Sequence, residues 1–253
     1  ETKKNPSVNF LNNDSIITPQ LSSTIYFHVR GNLKIEQIND PVILVSTDSD
    51  IYDRIFGNNH IVEIENKDTH TYNGFFKCNG LHKNSNIKID NLHVELNSKY
   101  MGQGEGLIVA KNSSFTKMIG CSSYSPYIQK YGGGLIGSYA SNCDVSYCYS
   151  NAKIHQGGGG IFGRGAKSCN VYGSYSTGEI IMGGGIFGND ASDCFVGKSY
   201  TTGQIHAASG GIFGNYARDS SANDAFSTSE QIYPLSGSVF GNYAVRCTSL
   251  RGA

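Results

Sequence analysis

The chain has 253 residues, with 20 basic and 20 acidic side chains and a formal net charge of zero, so it lacks the basic footprint of a nucleic-acid binder. Charged residues make up only 16% of it, below the roughly 25% of an average protein, and glycine stands at 32 positions. No run approaches the roughly 18 apolar residues of a membrane-spanning helix, so no membrane insertion is expected.

The opening Glu1-Thr2-Lys3-Lys4 has neither an initiator Met nor a signal peptide, as in a processed or recombinant fragment. The first elements in chain order are short strands. Residues 25–29, 42–45 and 61–64 are apolar and rich in β-branched side chains, and residues 87–96 alternate strictly between apolar and polar. Gly57-Asn58-Asn59-His60 and Asn79-Gly80 mark turns between them. Residues 1–103 read as irregular rungs that cap a solenoid, because its open end is a row of unpaired backbone groups.

A repeat begins at residue 104. Gly133 to Gly137 spell Gly-Gly-Leu-Ile-Gly, and Gly-Gly-Ile-Phe-Gly recurs from Gly159, Gly184 and Gly210. Gly237 to Gly241 is a worn copy, and Gly104-Glu105-Gly106-Leu107-Ile108 a weaker one upstream. With Leu107, Leu135, Ile161, Ile186, Ile212 and Val239 as origins, the intervals are 28, 26, 25, 26 and 27 residues. Columns then align. Ala140, Ala166, Ala191, Ala217 and Ala244 share one. Phe115, Cys143, Cys169, Cys194, Ser220 and Cys247 share a second, and Cys121, Tyr149, Tyr175, Tyr200 and Phe226 a third.

Such columns are what a parallel coil produces. Equivalent residues lie about 4.8 Å apart, and a stack must hold one side-chain size to pack without voids. The period excludes propeller blades of about 40 residues, and several glycines per unit disfavour helical repeats. The expected fold is all-β: a single-stranded, right-handed parallel β-helix with coils of about 26 residues. It is one continuous domain, with irregular rungs over 1–103 and the regular repeat over 104–253. The Ala and Tyr columns are expected inside, where the coil is narrow and wide respectively. The motif glycines are expected to supply turns with positive φ.

The Gly-Gly-hydrophobic-hydrophobic-Gly motif, over about residues 104–247, resembles the GLUG-type repeats of bacterial surface adhesins. It is also similar to Gly-Gly-Ile-Phe-Gly arrays in structural proteins of large DNA viruses of amoebae. The resemblance implies a rod-like, non-enzymatic component of a virion or cell surface. Its expected partners are surface glycans, other particle or surface proteins, or further copies of itself. It carries no catalytic motif.

The alternatives are a β-helix polysaccharide lyase or hydrolase and a passive glycan-binding module. An enzyme of this class needs clustered carboxylates. Asp193 and Asp219 share one column, below Asn142 and Ser168 and above Arg246, and would stand about 4.8 Å apart. The competing reading is a solvated turn column. Asp144, Asp190 and Asp224 are scattered, and Asp48, Asp50, Asp53, Asp90 and Glu95 align with no column. His155 and His206 share a column two rungs apart, too far for one metal ion, and His60, His70, His82 and His93 have no metal spacing. No cofactor or metal is expected. The stacked cysteines are expected to be buried, reduced thiols. Asn13 and Asn112 begin sequons. The best lead is the column one past the origin: Ile136, Phe162, Phe187, Phe213 and Phe240. Strand alternation would send it outward as a sticky or sugar-binding surface. If the glycines bend the chain, both motif hydrophobes enter the core instead.

Overall fold

The computed structural model describes residues 7–11, 25–29, 32–35, 41–46, 52–65, 71–80, 86–98, 101–229 and 233–250. Asn13, Asp48, Asp50, His70, His82 and the side chain of Asp53 lie outside what is described. Every described strand pairing is parallel, and the chain is a β-solenoid with three sides. One side is a ten-stranded sheet running from Ser7–Leu11 to Thr248–Leu250. The second is an eight-stranded sheet from Leu33–Ile35 to Phe226–Ser227. Val42–Ser46 paired with Phe76–Gly80 opens the third, which continues as single bridges from Phe76 through Val109, Ile136, Phe162, Phe187 and Phe213 to Phe240. Asn86–Asp90 pairs directly with Thr116–Ile119, so the first sheet crosses from the irregular strands into the repeat without a break.

The register matches the repeat with one correction. Lys117, Asp144, Asn170, Phe195, Ser221 and Thr248 stack at intervals of 25 to 27 residues. The first interval is 27, because Val109 bridges Ile136 and Ser122 pairs with Tyr149. Ile108, not Leu107, therefore stands above Leu135. Thr116, not Phe115, heads the cysteine column, and Cys121 lies above Cys148 rather than above Tyr149. Leu107 and Ile108 are both apolar and both buried, so the motif alone did not reveal the slip.

Each coil turns through residues with left-handed backbones. One corner column holds Asn58, Asn91, Gly120, Tyr147, Gly173, Lys198 and Asp224, with φ between 46° and 65°. The stretch 87–96, whose alternation slips at the adjacent polar residues Asp90 and Asn91, is two strands, Asn86–Asp90 and His93–Leu96, bent at Asn91. A left-handed residue aims its N–H along the stack. Tyr147 donates to Tyr172 O at 3.0 Å, and Lys198 to Asn223 O at 3.0 Å. The Gly-Gly-Ile-Phe-Gly glycines are not these corners. They serve close approach: a Cβ on Gly159 would lie 2.1 Å from the Phe162 carbonyl oxygen and 2.4 Å from the Gly188 nitrogen.

That close approach decides the fate of the motif hydrophobes. The N–H groups of Ile161 and Phe162 both donate to Ile186 O, so the chain bends between them and both side chains enter the core. Phe162, Phe187 and Phe213 are fully buried and stacked at 4.9 and 5.1 Å, and Phe240 packs against the core below them. The Phe column is therefore no exposed surface. The Tyr column is the reverse correction. Tyr149 and Phe226 are exposed and Tyr175 and Tyr200 half-buried on the outer face of the second sheet, while Ser150, Ser176 and Thr201 point inward. Ala140, Ala166, Ala191 and Ala217 are buried as expected, but Ala244, in the last coil, is exposed.

The seven cysteines are all free. Six are buried: Cys78 lies above Ser113 in another column, and the other five form two stacks. Cys143, Cys169 and Cys194 form one; Cys121 lies above Cys148 in the other, and Ser174 and Ser199 continue it. Burial pushes the Cys169 thiol well above its usual range. Cys247 was expected to be buried too, but it sits in the last described coil and is half-exposed.

Replacing Phe187 by Ala is expected to cost about 3–5 kcal/mol in chemical unfolding, as for other buried aromatics. Tyr175→Ala should cost less than half of that, because the ring loses stacking partners but leaves no internal void. Equal losses would return the Tyr column to the core. In native thiol labelling followed by mass spectrometry, Cys247 should react first, with the other six protected until the chain unfolds.

Candidate functional site

The residues singled out for chemistry lie apart from one another. Asn142, Ser168, Asp193, Asp219 and Arg246 form a left-handed corner column, with φ between 48° and 55°. Arg246 grips Asp219 through two nitrogens, with Nη2 at 2.6 Å from Oδ2, and holds its carboxyl below the usual carboxylate range. A carboxylate so engaged at an exposed corner is a lattice of surface charges rather than an acid–base pair. Asp190 takes Arg164 at 2.6 Å, Asp144 accepts from Asn170 at 2.8 Å, and Asp90 receives Arg54 and Lys88 at 2.8 and 3.1 Å. His206 bonds Glu179, which also pairs with Lys153 at 2.6 Å, and its ring stacks on Tyr233 at 5.3 Å. His155 stands two rungs away with Ile181 between, as spaced in the sequence. Among the described residues no three His, Cys, Asp or Glu side chains gather as metal ligands.

What the fold does assemble is on the outer face of the second sheet. Tyr149, Tyr175, Tyr200 and Phe226 occupy successive rungs in one register. Their rings lie face to face at 5.1, 5.0 and 5.7 Å, with interplanar angles of 5°, 3° and 14°. The sheet itself imposes this, because strands spaced about 4.8 Å apart place like side chains at close to the separation of stacked rings. At the upper end of the ladder, Tyr149 has a face turned toward a rung without an aromatic. There the column continues upward as Ser122, His93 and Ile61.

At this break lies a groove of about 360 Å³. Ser122 is its floor, with His93 above and Tyr149 below. Two residues further along the same strands, Glu95, Tyr124 and Asn151 form a parallel column at its side, and Asn59 stands at its upper rim. Strand alternation explains the grouping, because His93 and Glu95, Ser122 and Tyr124, and Tyr149 and Asn151 are each two residues apart and face the same way. The inward residues between them, Val94, Ser123 and Ser150, are buried.

Ser122 and His93 share a hydrogen bond of 2.6 Å between Oγ and Nδ1. Burial lowers the His93 pKa, so the imidazole is neutral at neutral pH. Glu95 is then the one carboxylate lining the groove, with no Lys or Arg beside it among the described residues. The arrangement offers one free aromatic face, a hydroxyl floor and convergent amide, phenol and carboxylate groups.

Glu95 was visible in the sequence as an acid that fitted no column, and His93 as a histidine without metal spacing. Their period-two placement was legible. Their meeting with Ser122 and Tyr124 follows from a 29-residue offset upstream of the repeat, and that of Ser122 with Tyr149 from the 27-residue first interval, which the motif alignment had set at 28.

A histidine whose folded pKa is depressed contributes stability above its unfolded value of about 6.5, and this is lost as pH falls through that value toward the folded one. NMR titration should place His93 below about 6.5. Unfolding midpoints should fall between about pH 7 and about pH 5, and fall less in His93→Gln.

No family model matches the sequence, and no curated protein matches it. Among solved structures, it is similar to one described as "a putative immunoglobulin A1 protease from Bacteroides ovatus", with a TM-score of 0.52 and 19% identity over 89% of this chain and 78% of that one. At that identity the likeness is one of fold.

Proposed function

We propose that this chain is a non-enzymatic attachment module: a rigid rod on a virion or cell surface that presents one lateral face to surface glycans or partner proteins. The carrying observation is the exposed ladder of Tyr149, Tyr175, Tyr200 and Phe226, which ends in a polar groove. Solvent-facing aromatics in a row are costly unless something covers them, and aromatic surfaces with polar flanks suit sugar recognition. The parallel hydrogen-bonded core holds the rings in fixed register, so little ordering entropy is lost on binding.

A second reading, a β-helix hydrolase, is favoured by the bond between Ser122 and the neutral His93. A hydroxyl beside an unprotonated imidazole is the starting arrangement of a nucleophile–base pair. It differs from the carboxylate pair that the Asp193 and Asp219 column suggested.

An immobilised panel of neutral, sialylated and uronate-containing glycans separates the two. The attachment reading expects saturable retention of the wild-type protein without product release. A double Tyr175→Ser, Tyr200→Ser variant should bind at least about tenfold more weakly. Turnover of a polysaccharide, a peptide ester or immunoglobulin A1 that Ser122→Ala abolishes would sink the attachment reading and establish the hydrolase.

A further inference from the structure

We propose that the break in the aromatic ladder at Ser122 is a binding site for a single neutral sugar ring, an uncharged hexose or N-acetylhexosamine. The inference rests on the attachment reading and names the ligand for one end of its face.

The first argument is the ladder's own geometry. Each ring from Tyr149 to Phe226 has a neighbour at 5.0 to 5.7 Å, and the rung above Tyr149 supplies Ser122, a side chain with no ring. His93 and Tyr149 belong to strands two rungs apart, on the order of 10 Å. A ring placed midway sits about 5 Å from Tyr149, the distance at which aromatic faces pack. The missing member of the stack has the thickness of one ring. A pyranose presents one face of axial C–H bonds, which suits an aromatic face, and a rim of hydroxyls, which does not.

The second argument is the rim. A ring lying on Tyr149 directs its hydroxyls outward in its own plane, toward Ser122 on the floor and Glu95, Tyr124 and Asn151 at the side. These side chains supply donors and acceptors together, as vicinal hydroxyls require. At about 360 Å³ the groove lies near the lower end of the range for small-molecule sites, which suits one ring or two.

The third argument is charge, which sets the class. The lining holds one acidic side chain, Glu95, and, among the described residues, no Lys or Arg. Uronates, sialic acids and phosphates would enter against Glu95 with no positive partner. Uncharged sugars avoid that repulsion, and a carboxylate accepts two hydroxyl hydrogens from a neutral ring in the strong, charge-assisted manner.

The test uses the full 253-residue chain. Methyl glucoside, N-acetylglucosamine, glucuronate and choline are titrated in turn by NMR, and each is tried as a competitor on the glycan panel. The expected result is that a neutral sugar shifts the resonances of Tyr149 and Tyr124 and releases the panel-bound protein, while glucuronate does neither. Ser122→Tyr should fill the slot and complete the stack. It should retain the wild-type circular dichroism spectrum and lose neutral-sugar binding by at least about tenfold. Tyr149→Ser, which removes the stacking face without adding bulk, should lose it to the same extent and guards against misfolding of the first variant. Undiminished panel binding by a folded Ser122→Tyr protein overturns the slot and leaves the attachment reading standing. If the wild type binds neither panel nor free sugar, both fall. Binding of choline or glucuronate in place of the neutral sugars overturns the assigned class.

Discussion

Everything in this molecule depends on the corners coinciding. Parallel strands bond to the rung above and below only if every coil changes direction at the same place, and here each repeat coil does so through left-handed residues in four columns. Such a backbone costs a residue with a Cβ roughly 1–2 kcal/mol. The cost is tolerated because the left-handed corner turns its N–H onto the carbonyl of the next coil, as Tyr139, Tyr147, Asp193 and Lys198 do. Asn, Asp and Gly are natural occupants. Tyr131, Tyr139 and Tyr147 are not, and their rings lie over Gly157, Gly165 and Gly173 of the following coil, where a Cβ would meet ring carbons at 2.6 to 2.9 Å.

Once the corners are set, stacking fixes what each side chain meets. Inside, Phe lies on Phe, Ala on Ala and thiol on thiol, so the core is a bundle of ladders with one residue size each. Outside, the same arithmetic places tyrosines face to face and brings Asp219 above Arg246 and Glu179 between Lys153 and His206. The exposed ion pairs are by-products of register and contribute little to stability. The outer tyrosines are of another kind. They are apolar surface held rigid at one spacing, and at the upper end they lead directly to a rung that lacks a ring. The recognition proposed for this face follows from the lattice that holds the fold together, interrupted at Ser122.

The periodic half of the fold was legible in the sequence because a parallel coil puts equivalent residues in contact. Like-on-like packing therefore repeats in the chain as well as in space. The recurring Gly-Gly-Ile-Phe-Gly, the Ala column and the Cys-x-Val pairs sufficed for the class, the coil length and the buried state of Cys143, Cys169 and Cys194. The irregular strands before residue 104 lost their signal because their intervals lengthen: Arg54 lies above Lys88, and Lys88 above Lys117. A repeat search at one period cannot align them.

Sequence periodicity, then, determined by itself which residues share a column. It did not determine which way a column faces. Phe162 and Tyr175 are both large, both aromatic and both periodic, yet one is in the core and the other on the surface. The difference lies in the backbone: at Ile161 and Phe162 glycines on either side let the coil bend so that both side chains turn inward, whereas Tyr175 sits on a regular strand beside the inward-facing Ser176. Only the tertiary structure settled those directions, and only it brought His93 and Glu95 against Ser122 and Tyr149. The placing of Tyr149 beneath Ser122 depends on a one-residue choice between Leu107 and Ile108, two side chains of the same apolar character. The choice is made by the hydrogen bonds of the neighbouring coils.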